Sequence, residues 1–164
     1  MAEPEERDVT VARNSLLDPS PLINGGSPFA EGPIETPSPL LVFTLWQAYL
    51  RNVNPASKVI HAPSVQELVV EAMRDPGSVS RNTTALLLSI YAAAVMSMSA
   101  ADCKKTMAED RKVLLPRYLA AAQQALAAAG LIQSTSFVLL QAFTIFLVST
   151  VLLRRLGLLG LTFL

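Results

Sequence analysis

The 164-residue chain is long enough for one domain with a tail and for a buried core. It is 51% hydrophobic but only 6% aromatic, its 13 basic residues balance 13 acidic ones, and it has a single cysteine. This composition excludes a disulfide scaffold and a zinc site built from cysteines, and it suits a reducing compartment.

The first 39 residues hold seven of the eleven prolines, together with Gly25, Gly26 and Gly32. Residues 1–37 carry seven acids against two bases, so this end is near −5 and the remainder near +5. Such a segment buries too little apolar surface to offset its ordering entropy, and it reads as a disordered, acidic, Pro-rich tail over 1–39. Leu16-Leu17 and Leu22-Ile23 are candidate docking points within it, ordinary linker being the simpler reading. No basic stretch leads into an apolar run, so the N-terminus is not a secretory signal. The bases of the body are scattered, which fits a solvated surface better than a site for an acidic partner.

Order is expected from Leu40. Leu41, Leu45, Ala48 and Tyr49 fall at helical steps, and Asn54-Pro55 ends the run. Ser64 with Glu67 has capping-box spacing and opens a second helix, which Asp75-Pro76-Gly77 stops. A third helix over 82–98, with Leu86, Leu87, Ile90, Ala93 and Ala94, has little polar surface and reads as central and buried. Ser99 and Asp102 form another cap before a short polar helix. Leu115, Leu119, Ala122, Leu126 and Ala129 then mark a helix that Gly130 closes. Pro116 either sits at its first position or kinks a longer helix. A last helix starts near Ser134 and runs past Val148. From Phe137 to Leu153 its only polar residues are Gln141, Thr144, Ser149 and Thr150, and an atypical apolar tail follows over 150–164. The expected fold is an irregular all-α bundle of about five helices over 40–149.

No phosphate-binding glycine loop and no catalytic serine, cysteine or aspartate motif is present. His61 and Cys103 have the residue types of a nucleophile pair, but a turn histidine and a plain buried thiol are the simpler reading. Glu67 and Glu71 share a helix face at i, i+4, and Glu109-Asp110-Arg111-Lys112 is a charge run; solvated faces explain both. Met96 and Met98 read as core. The chain is therefore expected to have no catalytic, cofactor-binding or metal-binding residue and not to be an enzyme.

Several segments in order carry a resemblance. Trp46-Gln47-Ala48-Tyr49-Leu50, Val53-Asn54-Pro55 and Lys58-Val59-Ile60-His61-Ala62-Pro63 come first. Ala85-Leu86-Leu87-Leu88-Ser89-Ile90-Tyr91, Arg117-Tyr118, Ala125 to Gly130 and Leu139-Leu140-Gln141-Ala142-Phe143 follow. Together they resemble the start of the fungal-specific transcription factor domain, the middle homology region of fungal zinc-cluster transcription factors. The resemblance implies an all-helical regulatory region of a nuclear protein, often encoded beside secondary-metabolite genes, and thought to modulate activity and oligomerisation. It implies core roles for Trp46 and Tyr49 and a turn shaped by Pro55 and Pro63, with His61 packing or capping there.

The six-cysteine zinc module of that family is missing from a chain whose one cysteine is Cys103, so zinc-dependent DNA binding by this chain is not expected. The expected function is that of a transcription regulator, or a truncated regulator-like fragment, tied to a secondary-metabolite gene cluster. It would act through a protein partner or self-association by exposed apolar helices. The alternative is a tail-anchored membrane protein using residues 137–153, a span at the lower limit for crossing a bilayer.

Overall fold

A computed structural model describes residues 37–158, and the acidic tail over 1–36 and the last six residues lie outside them. The described residues are all helical, with seven helices rather than about five and no strand. The two additions are short connectors, α2 (Asn54–Ser57) and α5 (Ala100–Met107), whose few residues carry no long periodic pattern. The others are α1 (Pro39–Asn52), α3 (Ala62–Arg74), α4 (Arg81–Ser97), α6 (Arg111–Ala128) and α7 (Phe137–Leu158).

Local chemistry sets most of the boundaries. The Leu41 N–H donates to the Ser38 hydroxyl at 3.4 Å, and Pro39 occupies the first turn of α1, where its missing donor costs nothing. Ser80 accepts from the Thr83 N–H at 3.2 Å and starts α4. Ser99 accepts from the Asp102 N–H at 3.1 Å and donates to the Asp102 carboxylate at 2.7 Å, so the cap read from sequence forms. Gly130 adopts φ +69° just beyond α6, the left-handed conformation that ends a helix at least cost to glycine.

The starts of α3 and α7 differ from expectation, α7 beginning at Phe137 rather than near Ser134. Helix α3 begins before Ser64, with His61 at its N-cap and Pro63 in its first turn. The Ser64 hydroxyl meets His61 Nδ1 at 2.9 Å instead of capping the helix. Of the two readings of Pro116, the longer helix is the one that forms: α6 begins at Arg111, where the Asp110 carboxylate accepts from the Lys112 N–H at 3.3 Å. Pro116 therefore lies inside the helix, on its exposed side beside exposed Lys112. There the carbonyl four residues earlier loses its usual donor at the solvent edge rather than in the core.

Helix α4 is the axis of the bundle, packed against α1, α6 and α7. Twelve of its 17 residues are buried, from Thr83 to Val95 with the sole exception of Thr84. Alanines at positions 92, 93 and 94 let neighbouring helices approach closely. From α1, Val42, Leu45, Trp46 and Tyr49 enter the core, with Trp46 and Tyr49 stacked at a centroid distance of 6.0 Å. Helix α6 contributes Leu115, Leu119, Ala122 and Leu126, and its Tyr118 meets Tyr91 of α4 edge-on at 6.3 Å. Helix α3 is peripheral. It packs on α1 and buries only Val65 and Val69.

Candidate interaction surface

The motif region from Trp46 to Pro63 folds into one corner of the bundle. Trp46 and Tyr49 are almost wholly buried, as core anchors should be. In the same corner Trp46 Nε1 and Asn54 Oδ1 are buried without a hydrogen bond, and the Tyr49 and Ser57 hydroxyls are buried beside one another. Burial raises the Tyr49 pKa above 10.0, and the neighbouring Ser57 hydroxyl opposes that shift. Gln141 of α7 donates to the Val59 carbonyl at 3.0 Å and ties the last helix to this corner across the sequence.

The candidate chemical groups do not converge. His61 is engaged by Ser64, whereas Cys103 is buried on α5 with its sulfur 4.0 Å from the Val95 carbonyl. Burial is the main influence on the Cys103 thiol and raises its pKa, against the opposing charge of Arg111. A raised thiol pKa is the opposite of what an activated nucleophile needs. Glu67 and Glu71 line a shallow open groove of about 600 Å³ along α3, with Val70, Arg74 and Asp75. Among the described residues, no cluster of three or more histidine, cysteine or carboxylate side chains is placed to hold a metal ion.

The charge run before α6 is not simply a solvated face. Arg111 is half-buried and donates to the Met96 carbonyl at 2.7 Å and the Val95 carbonyl at 3.4 Å. It thereby satisfies carbonyls at the C-terminus of α4, where a cation also opposes the helix dipole. Asn52 adds a hydrogen bond to the Ser97 hydroxyl at 3.1 Å at the same end. Glu109 pairs with Arg117 at 2.8 Å on the surface. Sequence order alone gave no sign of the Arg111 role, since its partners lie 15 and 16 residues earlier.

The most conspicuous surface lies on α7. One face buries Leu139, Ala142, Ile145, Phe146 and Ser149, and the helix packs along α4 and α6. The opposite face leaves six large apolar side chains exposed: Phe137 (69%), Leu140 (57%), Leu147 (41%), Val148 (38%), Val151 (52%) and Leu152 (44%). No described helix is long and apolar enough to cross a membrane, and residues 137–153 instead form one wall of the bundle. Among the described residues the tail-anchor reading finds no helix that meets the length and apolarity of a span. Gln141 and the buried hydroxyls of Ser149 and Thr150 are spent on internal contacts with protein carbonyls.

Comparison with known proteins places this helical bundle. The aurofusarin cluster transcription factor aurR2 of Gibberella zeae is 40% identical over 116 residues, 71% of this chain and 17% of that protein. The pyriculol/pyriculariol biosynthesis cluster transcription factor 1 of Pyricularia oryzae is 36% identical over 113 residues, 69% of this chain and 15% of its own length. The C6 finger domain transcription factor nscR of Arthroderma gypseum is 31% identical over 107 residues, 64% of this chain and 15% of its own. This chain is a homologue of fungal zinc-cluster transcription factors. It spans about a sixth of the length of these relatives. No family model and no solved structure matches it. These relatives are transcription factors rather than enzymes.

Proposed function

We propose that the chain is a regulatory module of fungal transcription control, tied to a secondary-metabolite gene cluster and working in the nucleus through protein contacts. The observation that carries this reading is the 40% identity to a cluster transcription factor over 71% of the chain. Two physical features support the mode of action. These 164 residues hold one cysteine and so do not themselves form a six-cysteine zinc module, which leaves protein contact as the role this region is read to have. The apolar outer face of α7 is of the kind that marks protein–protein contact sites.

The test is expression of the tagged full chain in a filamentous fungus, with imaging of its location and measurement of biosynthetic-cluster transcripts. The expected result is nuclear signal and a changed level of at least one cluster transcript on overexpression. Exclusion from the nucleus with unchanged transcripts would sink the proposal.

A further inference from the structure

Serine and threonine are placed differently on the two sides of Leu40. Residues 1–39 hold six of them, Thr10, Ser15, Ser20, Ser27, Thr36 and Ser38, and the last four each stand directly before a proline. Four prolines follow in 40–164, and the residues before them are Asn54, Ala62, Asp75 and Leu115. Every Ser-Pro and Thr-Pro pair of this chain therefore falls within residues 20–39, next to where the helical bundle begins. The pair has a physical signature. Proline holds the residue before it in extended backbone and brings no N–H of its own. A kinase cleft that takes its substrate extended, and that provides an apolar pocket instead of an acceptor for the next residue, selects this pair.

Ser38 is the one of the four that lies within the described residues. Its backbone is extended, at φ −59° and ψ 151°. The residue is exposed, and its hydroxyl accepts one long hydrogen bond, from the Leu41 N–H at 3.4 Å. Pro39 and Leu40 after it are exposed as well, and Val42 is the first side chain of α1 to enter the core. The first turn can therefore open to a cleft without unpacking the bundle.

We propose that Ser38 is a phosphorylation site for a proline-directed serine/threonine kinase, and that phosphate there strengthens the start of α1. The Ser38 Oγ attacks the γ-phosphorus of ATP, the bond from that phosphorus to the β,γ-bridging oxygen breaks, and ADP leaves. The hydroxyl proton passes to the carboxylate base of the kinase. The product places close to two negative charges and three acceptor oxygens at the N-cap of a 14-residue helix. The first turn of α1 holds no acidic residue, so nothing in that turn repels the new charge as it meets the positive end of the helix. The Ser-Pro pair marks the site, and the helix end sets what phosphate does there. Neither the α7 face nor nuclear location enters, so the modification stands or falls apart from the proposed function.

The experiment is incubation of the purified 164-residue chain with MgATP and, separately, a mitogen-activated and a cyclin-dependent protein kinase, with phosphate located by mass spectrometry. Phosphate on Ser38 is expected with at least one of them. Pro39→Ala keeps the hydroxyl and suits a first helical turn, yet it should cut incorporation at Ser38 by about tenfold or more, because the proline pocket goes unfilled. Hydrogen exchange of the Leu41 amide should slow by about threefold in the phosphorylated chain, and Ser38→Ala, which loses the cap, should speed it. No phosphate on Ser38 with either kinase overturns the proposal, as does incorporation that Pro39→Ala leaves unchanged. Leu41 exchange that phosphate leaves unchanged or speeds overturns the strengthened helix start.

Discussion

Helices α4 and α7 look alike as strings of residues and behave differently as parts of the fold. Each is long, rich in leucine and alanine or valine, and nearly free of charge along its middle. Yet α4 is buried on every side, whereas α7 buries one face on its neighbours and turns six large apolar side chains outward. The difference comes from position. Helix α4 has α1, α6 and α7 around it, so each side chain between Ala85 and Val95 finds a neighbour. Among the described residues, helix α7 has neighbours on its inner side only. Apolar composition reports that a helix is built to be covered, and the three-dimensional arrangement reports whether the covering is present.

The sharpest way to break this comparison is to delete the same kind of side chain from each helix. Ile90 of α4 is fully buried, so Ile90→Ala removes buried methylenes and leaves a cavity that the packed alanines around it cannot fill. A loss of about 3 kcal/mol is expected in chemical denaturation, with an unchanged denaturant slope. A loss under about 1 kcal/mol would mean that the axis of the bundle is looser than its burial implies.

The core also predicts a response to alkali. All three tyrosines, Tyr49, Tyr91 and Tyr118, are buried, and burial raises the pKa of each above its ordinary value of 10.0. The folded state therefore holds these phenolic protons to higher pH than the unfolded chain does. Their contribution to stability is complete below pH 10 and is lost as pH rises above it. Denaturation midpoints should fall progressively above pH 10, and tyrosinate absorbance should emerge together with loss of helical signal. Three tyrosines titrating near pH 10 in a fully helical protein would contradict the packing described for α1, α4 and α6.

A smaller effect is expected at the end of α4. Arg111→Met keeps the length of the side chain but removes the donors to the Val95 and Met96 carbonyls. Those groups are half-buried, so a loss of about 1–2 kcal/mol is expected in denaturation. Lys112→Met, one residue along on the exposed surface, is the control and should change stability by about 0.5 kcal/mol or less.

Arg111 also shows where sequence reading stops. Local signals were legible: the Ser99–Asp102 cap, Gly130 as a helix stop, the anchors Trp46 and Tyr49, and a central helix through Leu86 and Ile90. Each is set by residues a few positions apart or by apolar periodicity. The start of α3 was misplaced because the Ser64 hydroxyl is engaged by His61, which takes the N-cap position without a side-chain cap hydrogen bond. Pro116 left the start of α6 open between two readings, and the cap at Asp110, five residues upstream of Leu115, decides for the longer helix. The clamp of Arg111 on α4 and the bond from Gln141 to Val59 depend on tertiary neighbours, and nothing in their flanking residues marks them. The resemblance from Trp46 to Phe143 pointed to the right relatives because it rests on several ordered segments rather than on any single site.

The smallest predicted effect is the one that most directly separates α7 from α4. Leu147 lies on the outer face of α7 and is 41% exposed, so Leu147→Ala removes a side chain that touches the core only in part. The substitution should destabilise the fold by roughly 0.5 kcal/mol in chemical denaturation. Leucine and alanine have similar helix propensities, so little of that change comes from the backbone. If Leu147→Ala instead costs as much as Ile90→Ala, the outer face of α7 is already covered within a single chain. That face would then be part of a finished core, and α4 and α7 would differ in position without differing in burial.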